Sequence, residues 1–79
     1  MARVLLFGRL ADSAGWRDSA IEATGLFALR DTLTATDAAL GEALAGPGVQ
    51  AAVDKVIVRA DVALTAASEV AFLPPMSGG

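Results

Sequence analysis

The sequence contains no cysteine and no histidine among its 79 residues. Without cysteine, a chain has no disulfide, no thiolate nucleophile and no thiolate metal ligand. Without histidine, it lacks the side chain that most often acts as a general base or binds a metal. Any catalysis would depend on carboxylates, hydroxyls and the six lysine and arginine side chains. These absences favour a carrier or a binding module over an autonomous enzyme.

An excess of basic residues and long apolar runs are also missing. Six Lys and Arg stand against nine Asp and Glu, which gives a net charge of −3. Nucleic-acid-binding surfaces need basic residues to neutralise phosphates. No apolar run approaches the ~20 residues of a transmembrane helix, and the first residues lack the apolar core of a signal peptide. We therefore expect a cytoplasmic protein with no nucleic acid and no membrane among its partners.

The apolar residues that are present predict one small domain of strands and helices. They make up 54% of the chain, which is too much for a disordered segment. Strands are predicted at residues 2–8, 19–23, 49–53, 56–59 and 69–73. Leucines at helical spacing indicate a main helix that begins at Thr24 and ends near Ala35. A second, shorter helix is predicted over 37–44, capped by Thr36 or Asp37, and residues 10–17 are predicted to form a loop.

Side-chain alternation divides the predicted sheet into a core face and an open face that no helix covers. The core face is predicted to carry Val4, Leu6, Val56, Val58, Val70 and Phe72. The open face is predicted to carry Leu5, Phe7, Ile57, Ala71 and Leu73, with Arg3, Arg9, Lys55, Arg59 and Glu69 around them. Burying a large apolar side chain is worth roughly 1.5–3 kcal/mol, and an exposed apolar patch rimmed by charge usually marks a protein interface. We therefore predict that a partner protein binds the open face.

The last predicted strand runs directly into Pro74-Pro75-Met76-Ser77-Gly78-Gly79. Proline fixes φ and favours an extended chain, and glycine allows close approach of another backbone. At ~3.1 Å per residue, six residues would reach roughly 19 Å. We therefore expect a domain over residues 1–73 and an extended tail over 74–79 whose free carboxylate can enter a partner's pocket.

The apolar run Val4-Leu5-Leu6-Phe7, read together with the run from Glu69 through Pro75 to the terminal Gly78-Gly79, resembles the small subunits of molybdopterin synthases. Those subunits are ubiquitin-like sulfur carriers, and the resemblance spans essentially the whole chain. It implies an α+β fold of the β-grasp type, in which a single mixed sheet of about five strands packs on one main helix plus a short second helix. It also implies parallel first and last strands, and a heterotetramer of two large and two small subunits.

The resemblance further implies a chemistry at Gly79. An ATP-dependent activating enzyme would adenylate its carboxylate, and a sulfur donor would displace AMP to leave a thiocarboxylate. The large catalytic subunit would then use that sulfur for the dithiolene of molybdopterin. Residues Pro74, Pro75, Met76, Ser77 and Gly78 would thread into the partner. The chain itself would be a sulfur-donating subunit without an active site of its own, and neither a bound cofactor nor a metal is predicted.

Several interpretations stay open at the level of sequence. The same tail chemistry would serve a sulfur carrier for thiamine or cysteine biosynthesis. A ubiquitin-like modifier would instead join its terminal glycine to lysine side chains, and a binding module would leave the tail inert. The single tryptophan, Trp16, either covers the end of the core or anchors a partner.

Overall fold

The computed structural model describes residues 1–75 and shows in them a five-stranded sheet and three helices. The elements are β1 (Ala2–Leu6), α1 (Arg9–Ala14), β2 (Asp18–Ile21), α2 (Leu26–Thr36), α3 (Ala38–Leu44), β3 (Gln50–Val53), β4 (Val56–Val58) and β5 (Glu69–Leu73). The strand order is β2-β1-β5-β3-β4. Strands β1 and β5 pair in parallel, and the other neighbours are antiparallel. This mixed sheet confirms the predicted β-grasp architecture, including its parallel central pair.

The core lies between the helices and one face of the sheet. On the two central strands, Val4, Leu6, Val70 and Phe72 are all exposed by 2% or less. The helices add buried leucines to the same cluster, at positions 10, 26, 29, 33, 40 and 44. The predicted alternation of buried and open-face residues in β1 and β5 is therefore confirmed. Burial of each such side chain is worth roughly 1.5–3 kcal/mol, so these two strands contribute much of the stability of the fold.

Helix α1 occupies a segment that the sequence predicted to be a loop. Asp12 and Ser13 suggested a loop, but Leu10 and Ala11 are only 1% and 5% exposed and join the core. Gly15 ends the helix in the left-handed region, with φ 82°, where glycine costs little. The prediction of residues 10–17 as a loop was therefore wrong, because burial of one helical turn outweighs its local polarity.

The two longer helices begin at different kinds of cap. Asp37 caps α3 as predicted, since its carboxylate accepts a hydrogen bond from the Leu40 amide at 3.1 Å. Thr24 does not cap α2, whose N-cap is Gly25. Instead, the Asp61 carboxylate accepts a hydrogen bond from the Phe27 amide at 3.0 Å. A distant residue therefore satisfies the start of α2, which local sequence could not reveal.

The hairpin that joins β3 to β4 turns at Asp54 and Lys55, as predicted. Both residues have positive φ, 50° and 71°, which suits the two-residue turn of a type I′ hairpin. Val56 follows on β4, at the edge of the sheet, and is 63% exposed. The prediction that Val56 is buried was wrong, because the helices do not extend over the start of this edge strand.

Trp16 is partly buried and packs against the core, which supports its interpretation as a cover for the end of the core. In the part of the chain that the structure describes, no helix has both the length and the apolar character of a membrane span.

Helices α2 and α3 pack so closely at Gly41 that an alanine there should destabilise the fold. An ideal Cβ on Gly41 would lie 2.5 Å from the Thr34 Oγ1 and 2.6 Å from its Cγ2. Alanine is favoured over glycine in helices by about 1 kcal/mol, but overpacking of this kind costs about 1–3 kcal/mol. We expect Gly41→Ala to lower the free energy of unfolding, measured by chemical denaturation, by up to about 2 kcal/mol, which is the overpacking cost less the gain in helix propensity.

The matched control adds Thr34→Ala to Gly41→Ala. It removes two of the three Thr34 atoms that the new methyl group would meet, so it should recover part of the lost stability. A Gly41→Ala protein that is more stable than the parent would contradict the steric argument.

Candidate functional site

Four strands place apolar residues in one row across the open face. The strand registers pair Leu5 with Ala71, Ala71 with Ala52, and Ala52 with Ile57. Ala52 is only 7% exposed although it lies outside the core cluster. Two alanines therefore form a shallow floor between the larger side chains of Leu5 and Ile57, and Ile57 is 43% exposed.

A second row lies at the end of β5, beside the start of the tail. Leu6 pairs with Phe72 in the parallel ladder, and Pro74 lies against Gly8, so Phe7 and Leu73 between these two contacts are neighbours. Phe7 is 46% exposed and Leu73 is half-buried. Leu5, Ile57, Ala71 and Leu73 thus lie at open-face positions of the strands, and Phe7 directly follows the end of β1. The role of these five residues in partner binding stays a prediction.

Part of the predicted charged rim is engaged within the domain. The Arg3 guanidinium donates to the Asp18 carboxylate at 2.6 Å and to the Glu69 carboxylate at 3.4 Å. These contacts join β2, β1 and β5 across the open face. The hydrogen bond and positive charge of Arg3 lower the pKa of the Asp18 carboxyl, and Asp18 in turn raises the pKa of Arg3.

Asp18→Asn should reduce stability near neutral pH and have no effect in strong acid. Since the folded-state pKa of Asp18 is depressed, the ion pair stabilises the protein above the unfolded-state pKa. That contribution is lost as the pH falls through the folded-state pKa. Both side chains are about half exposed, so the effect should be small. Thermal unfolding of both proteins across the acid range measures it, and a Tm difference that persists in strong acid would contradict this assignment.

The first two residues of the predicted tail, Pro74 and Pro75, lie against the domain. We call this pair the tail root. Pro74 lies over Gly8, at the β1–α1 turn, and Pro75 lies over Gly48, in the turn before β3. Both prolines are half-buried. The other predicted tail residues, Met76, Ser77, Gly78 and Gly79, lie outside the described residues.

Among residues 1–75, no three or more acidic side chains come together in a group that could hold a metal ion. The described residues thus contain the predicted binding face and the tail root, while Gly79, the predicted reacting residue, lies outside them. Sequence reasoning missed three residues of this arrangement: Ala52, Gly8 and Gly48. Of these, only Ala52 could have been found from the sequence. A two-residue turn at Asp54-Lys55 pairs Ala52 with Ile57 and so places both on the same face of the sheet.

Comparison with known proteins agrees with this geometry. The sequence matches the ThiS family over residues 4–79, a range that includes the terminal Gly78-Gly79. No curated protein sequence matches the chain.

Solved structures share the fold over nearly the whole chain. The crystal structure of SAMP1 from Haloferax volcanii has a TM-score of 0.86 at 24% identity, covering 99% of this chain and 98% of that one. The solution structure of small archaeal modifier protein 1 from Methanosarcina acetivorans has a TM-score of 0.87 at 21% identity, covering 99% and 95%. The crystal structure of Mycobacterium tuberculosis CysO, an antigen, has a TM-score of 0.82 at 20% identity, covering 96% and 100%.

The structural similarities, at these identities, establish the fold, and the family match extends over all but the first three residues. The β-grasp sheet, its parallel central pair and the match through the terminal glycines lead to one assignment. This chain belongs to the ThiS family of ubiquitin-like sulfur carriers.

Proposed function

We propose that this chain is the sulfur-carrying small subunit of a molybdopterin synthase, and that Gly79 carries the sulfur as a thiocarboxylate. One observation carries the proposal: β5 ends on the open face at Leu73, and Pro74-Pro75 and then Gly78-Gly79 follow it in the sequence. The run Phe72-Leu73-Pro74-Pro75 favours this pathway over thiamine biosynthesis, whose carriers are usually shorter and lack that run.

The chemistry follows from the weak reactivity of a carboxylate. Its negative charge repels nucleophiles, so the Gly79 carboxylate must first be activated. An activating enzyme transfers AMP from ATP to this carboxylate and releases pyrophosphate. A sulfur donor at the oxidation level of hydrosulfide then attacks the acyl carbon and loses its S–H proton, and AMP departs with one of the original carboxylate oxygens. The product is a thiocarboxylate.

The thiocarboxylate is suited to transfer because sulfur is softer and more nucleophilic than oxygen. In the large catalytic subunit, this sulfur would bond to a side-chain carbon of a cyclic pyranopterin monophosphate, and the oxygen that this carbon held would leave. Water would then cleave the resulting thioester, which returns the Gly79 carboxylate and leaves the sulfur on the pterin. Two loaded chains would supply the two sulfurs of the dithiolene of molybdopterin. Two large and two small subunits would form the complete enzyme.

The division of labour between subunits follows from what this chain contains. With no histidine and no cysteine, it lacks the usual bases and nucleophiles, so its partners would supply these groups. ATP is bound and consumed by the activating enzyme, and this chain binds no cofactor in the proposed cycle. We place the reaction in the cytoplasm, where ATP is available.

A second candidate is a protein modifier that joins its terminal glycine to lysine side chains. It is favoured by the fold similarity to two small archaeal modifier proteins. The same activated glycine would serve both reactions, because a lysine amine and a sulfur donor attack the same acyl carbon. A sulfur carrier for thiamine or cysteine biosynthesis is the third candidate and differs only in the acceptor.

Intact-mass measurement tests the proposal. The chain is co-expressed with a candidate activating enzyme and its sulfur donor, and replacement of one oxygen by sulfur is expected. The loaded chain is then mixed with the large subunit of a molybdopterin synthase and the pterin substrate, and loss of that sulfur should accompany dithiolene formation. Sulfur loading without transfer to the pterin would favour another pathway, covalent ladders on lysines would favour the modifier, and no mass change would overturn the carrier function.

A further inference from the structure

The tail root rests on two glycines that come from different parts of the chain. Gly8 has φ 56° and lies between β1 and α1, and an ideal Cβ there would come within 3.1 Å of the Pro74 Cγ. Gly48 has φ 81°, and an ideal Cβ there would come within 2.7 Å of the Pro75 Cβ. Each proline ring therefore lies close to the space that a side chain at the glycine would fill.

Pro75 also borders an apolar recess on the domain surface. The recess has a volume of about 340 Å³, lies at the start of α1 and the end of α3, and is lined also by Arg9, Leu10, Ala43, Gly46, Pro47 and Val49. Pro75 therefore lies between Gly48 and a largely apolar surface, where a proline ring is favoured over water. We call this place on the domain the seat of Pro75.

We infer that Gly8 and Gly48 are positioning residues, which seat Pro74 and Pro75 and so set the direction in which the last residues leave the domain. This inference rests on the proposed function and deepens it, because the direction of exit decides how Gly79 meets a partner's active site. Proline locks φ, so a shift of either ring turns the chain that follows it. When the tail root is already fixed on the domain, less conformational entropy is lost when a partner binds the tail.

The chain offers a matched control for this idea. Gly15 has φ 82°, nearly the same as the 81° of Gly48, but an ideal Cβ on Gly15 would meet nothing within 4 Å. Alanine at either position carries the same type of backbone strain, because L residues rarely adopt this φ. Only Gly48→Ala would also push against Pro75. The difference between the two variants therefore reports on the seat and not on backbone strain.

The experiment compares the parent chain, Gly48→Ala and Gly15→Ala by NMR and by sulfur loading. The amide signals of Met76 and Ser77, which follow the tail root, should shift in Gly48→Ala and stay unchanged in Gly15→Ala. Loading by the activating enzyme, measured below the Tm of all three proteins, should show kcat/KM reduced about tenfold to a hundredfold in Gly48→Ala, since small misplacements of a reacting group cost this much. Gly15→Ala should load like the parent.

A second variant, Pro75→Ala, keeps Gly48 and its backbone intact and decides the question if Gly48→Ala does not fold. It removes most of the ring from the seat, so the same two signals should shift and kcat/KM should fall. Unshifted Met76 and Ser77 signals in the folded variants, or equal effects of Gly48→Ala and Gly15→Ala, would overturn the inference. If even the parent chain accepts no sulfur, the proposed function fails, while the NMR comparison still decides whether the seat exists.

Discussion

A chain extended by one alanine after Gly79 is expected to fold normally and to accept no sulfur. The carboxylate that the activating enzyme must adenylate would then be an internal amide, which has no oxygen that can attack ATP. The new terminus would carry a methyl group where the proposed partner channel accommodates glycine. Stability should not change, because within residues 1–75 the last member of the core cluster is Phe72. Intact mass after co-expression with the activating enzyme measures the loading.

The control for this extension is the same alanine added at the other end of the chain. Met1 is 66% exposed, so an N-terminal addition should disturb neither the core nor the loading of Gly79. Sulfur found on the C-terminally extended chain, with its added residue still present in the intact mass, would show that Gly79 does not carry the reacting group. Unequal Tm values for the two extended chains would instead point to an unrecognised role of the terminus in folding.

Features of this fold that depend on neighbouring residues could be predicted from the sequence, and features that depend on contacts between distant residues could not. Alternation along a strand is a local property, so it predicts that Val4 and Phe72 lie in the core, where the structure places both. Helix α1 forms because Leu10 is buried in a core that includes residues of distant strands. The polar residues of this segment, Asp12 and Ser13, instead favoured a loop. The exposure of Val56 depends on how far the helices extend over the edge strand, which its own sequence does not encode.

The same distinction between local and distant contacts applies to the open face and the tail root. The open face could be predicted because strand parity places Leu5 and Ile57 on the same side without knowledge of the strand order. The tail root could not, because Gly8 and Gly48 meet the prolines only through the parallel pairing of β1 with β5 and the turn before β3. A glycine in a turn suggests a backbone conformation, but it does not say which residue will occupy the space above it.

Phe7→Asp is expected to weaken binding of the large catalytic subunit by about 2–4 kcal/mol, or roughly thirtyfold to a thousandfold. Phe7 lies beside Leu73 and the tail root, so a partner that receives the tail must cover this part of the open face. The substitution removes an aromatic contact and places a charge where water would be excluded. Isothermal titration calorimetry of the unmodified chain with the large subunit measures the dissociation constant.

The matched control is Phe27→Asp. Phe27 is 49% exposed, close to the 46% of Phe7. It lies on α2, in the helix layer on the other side of the sheet from the open face, so Phe27→Asp makes the same substitution away from the predicted interface. Because both rings are already half in water, the two variants should lose similar amounts of stability, and only Phe7→Asp should lose affinity. Equal affinities would mean that the partner does not dock on the open face. A loss confined to Phe27→Asp would move the interface to the helices, and the tail would then have to reach its partner from the opposite side of the domain.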